Sequence, residues 1–176
     1  MILWHKISSF FKKNKTILRF YLLLGFFILL LFLLLHNRYS YKYLAEYIPT
    51  ILARITAGLI SFLGGEVTVA GKLLSGKKFS MRIIYDCSGI FVTVIYVAAV
   101  LAYPTTAKKI GLGLLIGIPV LNLINIFRMV FMFYVGQYLP NYISLFHTYL
   151  WQGMFIILVL LLWLFWVEKI VHGYEK

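Results

Sequence analysis

Cysteine is almost absent: Cys87 is the single one in 176 residues. An internal disulfide is thereby excluded, and cysteine usage reports nothing about redox compartment. A zinc site is disfavoured too, because the four histidines are dispersed without ligand spacing. Charge is scarce, at 12% of residues, and acids are scarcest, with five Asp/Glu against 17 Lys/Arg. Internal repeats and low-complexity linkers are missing as well. What fills the chain is apolar: 62% hydrophobic, with a mean hydropathy of +0.93. A soluble fold of this size has no use for that much apolar surface, so the composition specifies an integral membrane protein. The net charge of +12 raises nucleic acid as a partner. However, the basic residues sit at the ends of apolar runs, the pattern of topology signals and lipid headgroup contacts. Membrane lipids are therefore expected partners, nucleic acid is not, and no cofactor or metal is expected.

The apolar runs divide the chain. Residues 1–16 form a basic tail, read as cytoplasmic. Residues 17–35 are long enough to span, and the following His36-Asn37-Arg38 offers no small-residue cleavage site, so this is a retained helix rather than a signal peptide. In 44–64, Ile48, Ile51, Leu52, Ile55, Leu59 and Phe62 recur at helical spacing, opposite Thr50, Arg54, Gly58 and Ser61. That pattern, with Arg54 at its centre, predicts an interfacial or re-entrant helix. Residues 66–85 alternate loosely with period two around Gly76-Lys77-Lys78, which predicts a small β-hairpin. Further spans are expected at 89–103, ended by Pro104, at 110–136, kinked or divided at Pro119, and at 148–167. A polar, aromatic loop is expected at 137–146. The whole reads as one all-α membrane domain over 1–176, with about four transmembrane helices, an interfacial amphipathic helix and an extracytoplasmic β-hairpin.

With four spans, and Arg19 counted with the basic tail, nine Lys/Arg fall inside and seven outside; if 44–64 crosses, the split is nine and six. The positive-inside rule does not decide between these. Either way an even number of crossings separates Cys87 from His147, so they share a side. Arg128 lies on the helix that ends on that side, eight residues before Gly136, or about 12 Å from that point.

Each candidate has a bland reading beside a functional one. Cys87 opens a helix, where the dipole and free N–H groups favour a thiolate, but a lone cysteine also serves as packing. Asp86 beside it would raise the thiol pKa unless it caps the helix or pairs with a base. Arg128 within a membrane helix is costly, and snorkelling to headgroups is strained at that depth. Asn125, one turn earlier, could orient the guanidinium or hold a substrate backbone; Asn122 reads as interhelical glue. His147 is a headgroup contact alone, but a general base and acid if it meets Cys87 and Arg128. Tyr138, Tyr142, Tyr149 and Trp151 read as an interfacial aromatic belt.

The ordered set of Cys87-Ser88-Gly89 at a helix start, Asn125-Ile126-Phe127-Arg128, and His147 before the last helix resembles the exosortase/archaeosortase family over roughly 45–167. The stretch from Asn125 to Trp151, with Phe133-Tyr134-Val135-Gly136 and His147-Thr148-Tyr149-Leu150-Trp151-Gln152, is similar to the small exosortase H subclass. The chain is shorter than typical members, and Asp86 stands where a small or neutral residue is expected. The resemblance implies a membrane-embedded cysteine protease or transpeptidase of the cytoplasmic (inner) membrane, acting on its extracytoplasmic side. Its substrates would be exported proteins ending in a short motif, a transmembrane helix and a basic tail, with an unknown acceptor. Catalysis would fall to Cys87, Arg128 and His147, with Asn125 and Asp86 binding or orienting substrate. The competing class is a non-catalytic accessory subunit for export or surface assembly; a transporter is a third reading.

Overall fold

A computed structural model describes residues 15–173. Most of the basic tail expected at 1–16 lies outside the described residues. Five α-helices carry the chain: α1 (Lys15–His36), α2 (Arg38–Phe62), α3 (Ile90–Ala102), α4 (Ala107–Tyr138) and α5 (Trp151–Trp166). Three short strands, β1 (Thr68–Ala70), β2 (Leu73–Ser75) and β3 (Ser80–Arg82), lie between α2 and α3.

Among the described residues, three helical stretches are long and apolar enough to cross a membrane: Lys15–His36, Ala107–Tyr138 and Pro140–His172. The helix α3 is equally apolar but has 13 residues, about 20 Å of rise against a hydrocarbon core of about 30 Å. Together they make an all-helical, multi-pass membrane architecture of about four spans, joined to a small sheet.

The helix α4 sets the scale. Its 32 residues rise about 48 Å, well beyond a bilayer core. It runs through Pro119 as one helix, so the division expected there does not occur. Its first turn carries Lys108 and Lys109. Arg128 stands 19 residues beyond Lys109, about 28 Å away. Arg128 thus lies on the half of α4 that leads to the sheet. The turns after it rise with the sheet.

The sheet is three-stranded and antiparallel, in the order β1-β2-β3. The expected hairpin paired 66–71 with 79–85 directly; instead β2 separates them. Val69 faces Leu74, which faces Met81 in turn. Three residues give too short a run for alternation to show in the sequence. Leu74 is fully buried against Leu52, Ile60 and Phe133, which fastens the sheet to α2 and to the end of α4. Lys78 N–H donates to Gln137 Oε1 at 3.0 Å, and Lys72 pairs with Glu46 of α2.

The helix α2 starts six residues before the expected 44, capped by the Asn37 side chain accepting from Tyr39 N–H. Its buried stripe is Pro49, Leu52, Ala53, Thr56, Ala57 and Ile60. Of the apolar stripe read from the sequence, Ile51, Ile55, Leu59 and Phe62 are exposed. Small residues form the protein-facing side because α2 packs closely on α4, which leaves the larger apolar side chains outside.

At the basic end, Tyr96, Val100, Leu121 and Trp166 form a second core. Tyr96 donates to Gly113 O at 2.9 Å, and Trp166 Nε1–H donates to Lys109 O at 2.9 Å. The Gly113-Leu-Leu-Ile-Gly117 step makes room for both rings, the small-xxx-small device of membrane helix packing. A Cβ on Gly117 would lie 2.2 Å from the Tyr96 ring. Gly117→Ala is expected to destabilise the fold by about 1–3 kcal/mol through overpacking, read as a lower thermal unfolding midpoint in detergent.

Candidate active site

Cys87 is delivered by a tight 3-10 turn, Tyr85–Ser88, between β3 and α3. Gly89 is the N-cap of α3, so Cys87 stands at the junction just before the helix. The turn is held from within. Ser88 Oγ donates to Tyr85 O at 2.5 Å, and Cys87 N–H donates to Ile84 O at 3.0 Å. The Tyr85 ring is wedged edge-on between Tyr41 and Phe91. Burial, then the Tyr41 ring and the Asp86 carboxylate nearby, push its hydroxyl above the ordinary phenol range. Gly89 has φ +75°, the left-handed region that lets the chain change direction into α3. Its carbonyl then accepts from both the N–H and the hydroxyl of Thr93.

Arg128 comes from α4. Its Nη2 donates to Cys87 O at 2.9 Å, and its guanidinium carbon lies 5.3 Å from the centre of the Phe155 ring on α5. A cation so placed over an aromatic face is held electrostatically. One N–H bond to the Cys87 carbonyl uses one of five donors, which leaves others for a second acceptor.

His147 lies in a π-helical turn, Leu145–Leu150, that runs into α5. Such turns are uncommon and occur frequently at functional sites. Phe146 packs edge-on against Phe131 of α4, pinning the turn. His147 Nε2 stands 3.8 Å from Cys87 Sγ, within reach of a hydrogen bond to sulfur. The structure therefore brings together Cys87, Arg128 and His147 from three separate elements.

Asn125 belongs to the same cluster. It is 1% exposed, and neither amide atom has a hydrogen-bond partner in the structure. A Cβ on Gly89 would sit 3.0 Å from its amide carbon, so the side chain abuts the turn that carries Cys87. Asp86 stays apart: it is exposed and takes part in none of the three ion pairs among the described residues. Asn122 bonds within its own helix, Nδ2 to Ile118 O at 2.8 Å, so it is not the expected interhelical glue. Trp151 is 4% exposed and packed on Phe131 and Phe155, which removes it from the aromatic belt; Tyr138, Tyr142 and Tyr149 are exposed. Among the described residues, no three side chains converge as metal ligands.

Sequence reasoning missed Phe155. The signal was present: His147, Trp151 and Phe155 recur every four residues, one face of a helix. Two of the three are buried against α4.

A family model for transmembrane exosortases matches residues 15–166. That stretch contains every helix from α1 to α5, the sheet and all the residues of the cluster. The chain belongs to the transmembrane exosortase family. Comparisons with curated proteins and with solved structures gave no match. Membership in the exosortase family and the apolar helices together define a multi-pass membrane protein.

Proposed function

We propose that the chain is a cysteine protease or transpeptidase that cleaves C-terminal sorting signals of exported proteins, with its site on the extracytoplasmic face of the inner membrane. The observation that carries this reading is the meeting of the one thiol, an arginine and a histidine in a member of the exosortase family. In this mechanism Cys87 thiolate attacks the scissile carbonyl, forming a C–S bond. Arg128 holds the turn through the Cys87 carbonyl and offers its remaining donors to the oxyanion. The C–N bond breaks as His147 gives its proton to the leaving amine, and a thioester remains. Water or an acceptor nucleophile then attacks the thioester. His147 takes its proton, and the C–S bond breaks to restore the thiolate. The buried Asn125 amide is suited to hold the substrate backbone at this turn, because its donors and acceptor are uncommitted.

A cleft of about 430 Å³ supports lateral docking of the substrate helix. It lies between α1, α3 and α4, lined by Leu31, Leu34, Ile90, Thr93 and Val97, and Ile90 directly follows the Gly89 cap. Val97→Trp would fill it. Processing is expected to fall at least about tenfold by loss of substrate positioning, while labelling of Cys87 by a small maleimide keeps its rate. Equal processing by the tryptophan variant would place the substrate elsewhere.

The test of the whole reading is capture of the thioester. The full chain is co-expressed with a tagged protein of the same genome that ends in a motif, an apolar helix and a basic tail. A hydroxylamine-sensitive adduct between the two is expected, and it should vanish in Cys87→Ala. Processing with no adduct in the native chain, and undiminished in Cys87→Ala, would overturn the proposal.

A further inference from the structure

The opposite end of the molecule holds a second cleft, of about 530 Å³, between the start of α1 and the segment joining α3 to α4. Lys15, Arg19 and Thr105 line it together with Phe20, Leu23 and Tyr103. The rings of Phe20 and Tyr103 meet each other and, behind them, Trp163, with ring centres 5.8–6.3 Å apart.

Lys15 and Arg19 are four residues apart on one helix, so two like charges share a face. Such a pair opposes helix formation by a few tenths of a kcal/mol when nothing lies between. No carboxylate lines the cleft, and none of the three ion pairs among the described residues reaches it. The sequence before Glu46 contains no acidic residue at all. A cleft lined by two cations and by apolar, aromatic side chains, at the basic end of the membrane helices, matches a ligand with an anionic head and hydrocarbon tails. The tails have a path: α1 has no buried residue, and Tyr21, Leu22 and Phe26 lie exposed along it.

We propose that this cleft is a binding site for an anionic phospholipid, with Lys15 and Arg19 on the phosphodiester. The planar guanidinium pairs with two phosphate oxygens, and the ammonium adds a point charge. Basic pockets between membrane helices bind anionic headgroups by this chemistry. The site is independent of the catalytic reading: it lies at the far end of α3 from Cys87, and the 13 residues of that helix rise about 20 Å.

The purified full chain, stripped of lipid in neutral detergent, is titrated with phosphatidylglycerol, phosphatidylcholine, glycerol phosphate or inorganic phosphate. Native mass spectrometry counts retained lipid, and thermal unfolding reports stabilisation. Phosphatidylglycerol is expected to bind and raise the unfolding midpoint, while the other three leave it unchanged. In K15Q/R19Q the affinity should fall roughly fivefold for each charge removed. K15R/R19K should retain binding, as should K42Q/R82Q, which removes two charges elsewhere. Should the double variant not fold, R19Q alone is read, with the same fivefold loss expected. Native affinity in K15Q/R19Q, or in R19Q where it is the variant read, would overturn the site. Equal binding of phosphatidylcholine would make it a generic lipid contact. A full shift from inorganic phosphate would make it a free-anion site. Either outcome rejects the proposal.

Discussion

Replacing Cys87 with alanine is expected to abolish substrate processing while leaving the protein folded. The chain has no second thiol to take over. The sulfur lies within reach of the His147 ring and can carry the acyl intermediate. Where a nucleophile and its base act as one unit, losing either removes nearly all of the rate, on the order of 10⁶-fold. Cys87→Ser is expected to fall almost as far, because a hydroxyl has a much higher pKa than a thiol and ionises far less at the same site. The stability cost should be about 1 kcal/mol, since Cys87 is half-buried at the margin of the Leu74–Ile83 core rather than inside it. Gel mobility of a tagged substrate, measured beside the thermal unfolding midpoint, separates the two effects. A folded Cys87→Ala protein that still processes substrate would leave an accessory role as the better account.

Arg128→Ala is expected to lower the processing rate by about 10²–10³, the usual cost of losing a donor to an oxyanion. Its effect on stability should be much smaller. The substitution loses a charged hydrogen bond to Cys87 O and a contact with Phe155, but it also relieves the cost of holding a charge among helices. Arg128→Lys tests the geometry. A lysine keeps the charge, but a single ammonium cannot both bond the carbonyl and lie flat over Phe155. It should recover part of the rate and not all. Initial rates at matched expression, with unfolding midpoints for both variants, check this. A rate loss that tracks the stability loss across both variants would reduce Arg128 to a structural role.

Much of this arrangement was legible in the chain before any coordinates. Apolar runs of bilayer length demand helices, since no other open structure satisfies the backbone in lipid. The parity of crossings between Cys87 and His147 put them on one side. The ordered Cys, Asn-x-x-Arg and His segments resembled the family that residues 15–166 then matched. What escaped was set by tertiary packing. The inner face of α2 is built from Ala53, Thr56 and Ala57, while its bulkier Ile51 and Ile55 point outward. Hydropathy counts large residues, and close helix packing prefers small ones. The strand β2 escaped because its pairing with both neighbours, not its sequence, makes it a strand.

The π turn at Leu145–Leu150 has a consequence for how this chain tolerates changes of length. Such a turn is an ordinary helix carrying one surplus residue. Deleting Thr148 would let the winding relax to 3.6 residues, and the preceding side chains would rotate by about 100° about the axis. The imidazole would then leave the sulfur with its own chemistry intact. The bearing of His147 is thus a matter of helical phase, and a one-residue indel there equals the loss of the histidine itself.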